Sequence, residues 1–250
     1  MADLLAFAHR LADAARAETL PRFRTGIAAD NKLEGRGFDP VTDADREAER
    51  VMRALIEAEH PDHGIAGEEF PERPAQGPHC WSLDPVDGTR AFICGLPSWT
   101  TLIALLEDGE PVIGVIDAAA MGERYAADLA VATAATTSGC TSLVTARFST
   151  TDPFIFSPEE QPGVERVRRA AMAARFGLDA YGYAMIAAGH LDLVIESGLK
   201  PHDYNALIPL VRAAGGWIGD WEGGEDFGHG RVVAAATRAL YDEAVLLLSG

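Results

Sequence analysis

Apolar side chains recur at helical spacing from Ala2 to Leu20, at Leu4, Phe7, Ala8, Leu11 and Ala15, and Pro21 stops the run. A second amphipathic helix is expected through about His60, with Ala44, Ala48, Val51, Leu55 and Ala58 as its covered stripe and Thr42 or Asp43 as its cap. Between the two, residues 30–40 are polar, carry Gly35, Gly37 and Pro40, and read as a mobile loop that holds Lys32. Residues 63–67 form a short strand candidate that delivers Glu68 and Glu69 to its end, and 71–79 is a Pro-rich surface connection. A buried strand over 99–106, an Asp-Gly hairpin turn over 107–111 and strands over 112–117 and 123–130 suggest an antiparallel meander. Beyond a polar stretch near 131–140, strands are expected at 152–156 and 191–196, with helices at 162–176 and 181–189. Asp203 heads a helix over 204–214, with a kink expected at Pro209. A strand from Trp217, a loop, a strand at 231–236 and a helix at 237–248 close the chain.

With 250 residues, 48% of them hydrophobic and 24% charged, the chain can bury one large core or two tightly joined lobes. No apolar run approaches the roughly 18 residues of a membrane span, and the N-terminus is a poor secretory signal, so a cytoplasmic protein is expected. Cys80, Cys94 and Cys140 form neither a metal-spaced set nor a disulfide framework, which fits a reducing compartment. A net charge of −17 argues against nucleic acid or an anionic membrane as partner. It also means that a phosphate site here needs bound cations.

The chemistry concentrates in residues 80–92. A short apolar run from Trp81 to Leu83 delivers Asp84, Pro85 stiffens the chain, and Asp87-Gly88 signals a turn with Thr89 just past it. A turn made only for connectivity does not need both acids. Asp84, Asp87 and the Val86 carbonyl are oxygen donors of the kind Mg²⁺ takes. The backbone N–H groups of Gly88 and Thr89 can form a turn nest for a phosphate oxygen. There is no nucleotide-binding glycine loop and no serine-hydrolase elbow, and the His60–His63 run is too loosely spaced and Pro-broken for zinc.

The Asp84–Thr89 segment, DPVDGT, resembles the signature of the inositol monophosphatase family of Mg²⁺-dependent phosphatases. Three further pieces match in order: Val41-Thr42-Asp43-Ala44-Asp45, Gly67-Glu68-Glu69, and Asp203 ahead of an apolar run ending in Ala214-Gly215-Gly216. The resemblance implies alternating αβαβα layers of the α+β and α/β kind. An N-terminal lobe (1–130) would hold most metal ligands, and a C-terminal lobe (131–250) would supply Asp203 and substrate contacts. It further implies two or three Mg²⁺ held by Glu68, Asp84, Val86, Asp87 and Asp203, and a water oriented by Thr89 with Asp45. Lys32 would approach from its loop. One departure is His202, where the family usually has an aromatic residue before the aspartate.

Residues 90–97 and 193–210 more closely resemble the monophosphatase-like histidinol-phosphatases, which act on L-histidinol phosphate and are generally homodimers. That resemblance assigns Glu196 to the non-phosphate part of the substrate. Arg90 either orders the pocket through a salt bridge or meets a phosphate oxygen, and Asn205, polar and close to the pocket, reads a substrate hydroxyl or amine. Inositol 1-phosphate, a broader set of small phosphomonoesters, or a non-catalytic phospholigand-binding role are the alternatives.

Overall fold

The computed structural model describes residues 2–26, 28–31 and 40–250. Lys32 and the rest of the 32–39 stretch lie outside the described residues. The expected first helix is α1 (Ala2–Thr19), and the flanks of the expected loop pair instead as short antiparallel strands, β1 (Ala29–Asn31) and β2 (Pro40–Thr42). Next come α2 (Asp43–Glu59), β3 (Gly64–Gly67) and β4 (His79–Asp87). After a short α3 (Thr89–Ile93), β5 (Thr100–Glu107), β6 (Glu110–Ala118) and β7 (Glu123–Asp128) complete a sheet of order β3-β4-β5-β6-β7. It is antiparallel except for the β3–β4 pair. The β5–β6 turn places both Asp108 and Gly109 at positive φ (52° and 89°), the geometry for which the Asp-Gly pair is suited.

A second sheet, β11-β12-β10-β8-β9, is built from β8 (Arg147–Thr150), β9 (Ala173–Phe176), β10 (Leu193–Glu196), β11 (Trp217–Gly219) and β12 (Val232–Ala235). Around it run α4 (Gln161–Ala170), α5 (Tyr181–Ala187), α6 (Pro201–Tyr204), α7 (Leu207–Ala213) and α8 (Arg238–Ser249). Strand alternation assigns each side chain to a layer. On β5, Ile103 and Leu105 pack with α1 and α2, whereas Leu102 and Ala104 join α5 and α7. On β12, Val232 and Ala234 meet the same middle helices, and Val233 and Ala235 pack with α4 and α8. The result is five layers, helix–sheet–helix–sheet–helix, with α5 and α7 gripped by both sheets. Among the described residues no helix is long and apolar enough to cross a membrane.

Four expectations are corrected. The strand expected at 152–156 is a turn, opened by Asp152 Oδ1 accepting the Phe154 N–H, and the strand lies just before it in β8. The helix expected over 162–176 stops at Ala170, because residues 173–176 pair in parallel with β8 despite their alanine-rich composition. The corner at Asp84 is no strand end: β4 runs on to Asp87 through an irregularity in register, where a proline is tolerated. The helix expected over 204–214 is broken into α6 and α7, so Asp203 sits inside α6 and Pro209 falls in the first turn of α7, where its missing N–H has no helical partner to lose.

The α6–α7 break packs against the first sheet at Gly114 on β6, where an added Cβ would stand 2.2 Å from the Ala206 carbonyl oxygen. Gly114→Ala is expected to destabilise the fold by about 1–3 kcal/mol, because backbone rather than a flexible side chain must move. Urea denaturation checks it, and a change within about 0.5 kcal/mol, the ordinary surface value, would contradict the close contact.

Candidate active site

The irregularity in β4 makes the site. Asp84 Oδ1 accepts the Val86 N–H at 3.1 Å, folding the strand back on itself, and Thr101 on β5 anchors the Pro85 carbonyl at 2.8 Å. Gly88 follows at φ +78°, and a Cβ there would fall 2.8 Å from Asp179 Oδ2, so glycine is required for both conformation and space. Parallel pairing sets Gly67 opposite Leu83, and the Glu68 N–H donates to the Leu83 carbonyl at 3.2 Å, which brings Glu68 beside Asp84.

Asp203 arrives from α6, with Oδ2 accepting the Lys200 N–H at 2.6 Å and Oδ1 lying 3.5 Å from His202 Nε2. Asp84, Asp87 and Asp203 each present an oxygen within 4.8 Å of the others. They line a cavity of about 260 Å³ together with Glu68, Val86, Gly88, Thr89, Arg90 and Glu196. Burial first, and then the charges of neighbouring acids, raises the pKa of Asp84 and Asp87 well above the carboxylate range. Asp203 is raised too, mainly by burial and against the pull of His202. Three hard oxygen donors, forced together and disfavoured as free anions, suit a divalent cation.

Asp45 stands at the start of α2. The Thr42 N–H and hydroxyl both donate to its Oδ2 (2.9 and 2.6 Å), and Thr42 caps the helix in turn by accepting the Ala44 N–H. Its other oxygen, Oδ1, lies 3.3 Å from Thr89 Oγ1, which is also 3.0 Å from the Val86 carbonyl. A hydroxyl has one hydrogen, so Thr89 donates to one acceptor at a time. Burial is the main cause that raises the Asp45 carboxyl.

The remaining expected residues divide. Glu196 ends β10 inside the cavity wall, accepts the Thr151 N–H at 2.6 Å, and is pushed up to about 8 by burial. Arg90 lines the cavity, and its charge acts on Asp179. Asn205 does not join them. It is buried beneath the site, where its amide donates to Ser82 Oγ at 3.1 Å and ties the α6–α7 break to β4.

Two contributors were not anticipated. Asp179, raised to about 6 by burial against Arg90 and Ser98, lines the cavity, and the Ala180 N–H beside it donates to Asp87 Oδ2 at 2.8 Å. Glu49, fully buried on α2, accepts the Glu69 N–H at 2.8 Å and fills the space over Gly67, where a Cβ would meet it at 2.0 Å. A glycine ahead of two acids hints at such a packed neighbour. No local signal marks Asp179.

Comparison with known proteins agrees with this geometry. A model of the inositol monophosphatase family matches residues 1–248. The bifunctional phosphatase IMPL2, chloroplastic, of Arabidopsis thaliana is 42% identical over 193 residues, covering 74% of this chain and 56% of that protein, so the chain spans little more than half of that relative's length. The histidinol-phosphatase of Chlorobaculum parvum is 35% identical over 80% of both chains. A solved inositol monophosphatase from Zymomonas mobilis shares 39% identity and superposes with a TM-score of 0.88 over 99% of this chain and 98% of its own. Layered fold and clustered acids together define a metal-dependent phosphoric monoester hydrolase. The chain belongs to the inositol monophosphatase family.

Metal and pH are therefore linked through stability. Glu196 binds its proton more tightly folded (about 8) than unfolded (4.5), so the folded state holds the extra proton and stability falls as pH rises through that window. Each such group contributes up to about 1.4 kcal/mol per pH unit. His63, lowered to about 4 in the fold, has its opposite effect below pH 6.5 and adds nothing above it. Chelator-treated protein should thus lose Tm between about pH 7 and 8, and the gain in Tm on adding Mg²⁺ should grow over the same range. Scanning fluorimetry reads both, and an apo Tm that rises across this interval would refute the account.

Proposed function

We propose that the protein hydrolyses small phosphomonoesters by direct attack of water, and that L-histidinol phosphate is preferred among them. One observation supports the chemistry above all: the convergence of Asp84, Asp87 and Asp203 oxygens within 4.8 Å, beside the Thr89–Asp45 pair. Two or three Mg²⁺, held by Glu68, Asp84, the Val86 carbonyl, Asp87 and Asp203, would supply a bound water of lowered pKa and charge stabilisation for the transferring phosphoryl group. The chain's own residues do the positioning. Thr42 occupies Asp45 Oδ2, which leaves Oδ1 to take the Thr89 hydrogen, and the Thr89 oxygen is then free to accept from the attacking water. The backbone N–H groups of Gly88 and Thr89 bind a phosphate oxygen, and no phosphoenzyme is required.

Relatives named histidinol-phosphatase and relatives named inositol-1-monophosphatase both align with this chain at 34% identity, so similarity supports the chemistry and not the choice of ester. The choice rests on the lining of the same cavity, where Asp179, at about 6, is mostly ionised at neutral pH and Glu196, at about 8, gives up its proton to an approaching cation. An ammonium-bearing alcohol suits that lining better than a neutral polyol. Inositol 1-phosphate is the second reading, favoured by the likeness to the Zymomonas mobilis structure.

Phosphate release should show kcat/KM for L-histidinol phosphate at least about 100-fold above that for inositol 1-phosphate, equal to about 2.7 kcal/mol of transition-state discrimination. Comparable values would leave a broad phosphatase and remove the substrate preference. Thr89→Ala should lower kcat by about 100-fold or more while Mg²⁺ binding is retained. Near-normal turnover would end the water-positioning role, and an absence of turnover in the parent protein on every ester tried would favour a phospholigand-binding protein.

A further inference from the structure

Glu49 is a fully buried carboxylate on α2 that does not itself line the cavity. Acids are seldom fully buried without partners, and Glu49 has two. Its Oε1 accepts the Arg53 Nε–H, one helical turn on, at 2.7 Å, and its Oε2 accepts the Glu69 N–H at 2.8 Å. The carboxylate is wedged against the end of β3, where a Cβ on Gly67 would stand 2.0 Å from Oε1. Arg53, its side chain only 13% exposed, also donates through Nη2 to the Phe70 carbonyl at 3.0 Å. The helix thus grips the backbone of the 67–70 turn at two points. Stability alone does not call for such a device, since packed apolar side chains often replace a buried ion pair without loss.

What the grip fixes is Glu68. The direction in which a side chain leaves the backbone is set by the two peptide planes that flank it, joined through φ and ψ. The plane before Glu68 is held by its own N–H, which donates to the Leu83 carbonyl at 3.2 Å. The plane after it is held by the Glu69 N–H on Glu49, and the Phe70 carbonyl on Arg53 secures the chain just beyond. With both planes held, Glu68 has one path from the backbone, and it lines the cavity with Asp84, Asp87 and Asp203. We infer that Glu49, braced by Arg53, is a positioning residue for the cation site and acts through Glu68. The inference rests on the reading that Glu68 holds Mg²⁺ and not on which ester is hydrolysed.

The first test is Glu49→Gln, which keeps the shape but turns an amide –NH₂ toward one of the two donors, so that one hydrogen bond is lost. Titration calorimetry of chelator-treated protein with MgCl₂ should give a dissociation constant about 10–100-fold weaker than the parent's, the usual effect of removing a partner that orients a metal ligand. A lowered apo Tm with unchanged Mg²⁺ affinity would overturn the proposal and leave a purely structural ion pair. A double-mutant cycle with Glu68→Gln then separates positioning from the general effect of removing a negative charge. With Glu68 already replaced, Glu49→Gln should weaken binding by less than about 2-fold, and a full second loss would overturn action through Glu68. Should Glu49→Gln not fold, Arg53→Lys decides, because lysine keeps the charge but has no planar fork to serve Glu49 and the Phe70 carbonyl together. It should weaken Mg²⁺ binding by at least about 3-fold, and only where Glu68 is present; unchanged affinity would overturn the proposal. The reading beneath it fails in a different way: Glu68→Gln alone would then bind Mg²⁺ as tightly as the parent.

Discussion

Crowded negative charge on buried carboxylates is the constraint on which the rest of the structure depends. Asp84 and Asp87 come from β4, Asp203 from α6, Glu196 from β10, and each is disfavoured as an anion by burial before its neighbours repel it. The fold offsets this with backbone N–H groups from tight turns. Asp84 takes Val86, Asp87 takes Ala180 and Asp203 takes Lys200, and in each case the backbone N–H holds a single oxygen of the carboxylate, with His202 beside the second oxygen of Asp203. Fixing one oxygen orients the other without neutralising it, which is what a cation site requires of its ligands. Rigid layers supply the remaining stability, because α5 and α7 are packed from both sides and the turns that carry Ala180 and Lys200 lie next to them.

Layering also explains why the ligands are scattered along the chain yet meet in space. The parallel β3–β4 pair runs toward one side, so Glu68, just past the end of β3, lies beside Asp84 at the irregularity in β4. Breaking the α6–α7 segment lets a short first piece present Asp203 while the second piece stays in the middle layer. A continuous helix through Pro209 would have had to forgo a backbone hydrogen bond in its interior. The break removes that loss, and the Ala206 carbonyl settles against the bare backbone of Gly114.

Elements whose cause is local were legible in the sequence. The helix after Thr42, the Asp-Gly hairpin at 108–109 and the buried strand over 99–106 depend on side chains a few residues apart, and the structure contains all three. The acids around DPVDGT were legible as a motif because their spacing is fixed by one turn. What escaped depends on partners distant in the chain. The alanines of β9 have helical propensity and become a strand only because β8 offers a free edge. Asn205 looked like a pocket residue from its nearness to Asp203 in sequence, but the helix break turns it toward Ser82. Asp179 acquires its place from the fold of Gly88 against it, more than ninety positions away, and Glu49 from a strand that follows its helix.

The capping box at Thr42 and Asp45 has a consequence for how this chain can change over generations. Most acids in the cavity set stability against activity, so drift that relaxes their crowding is rewarded by a sturdier fold. Asp45 is different, because the oxygen that closes the first turn of α2 and the oxygen that reaches Thr89 belong to one carboxylate. Loss of it frays a helix and, under the proposed mechanism, disarms the site together. Selection on folding alone would preserve this residue even during a period when the enzyme's product was not needed, leaving the lineage a short path back to catalysis.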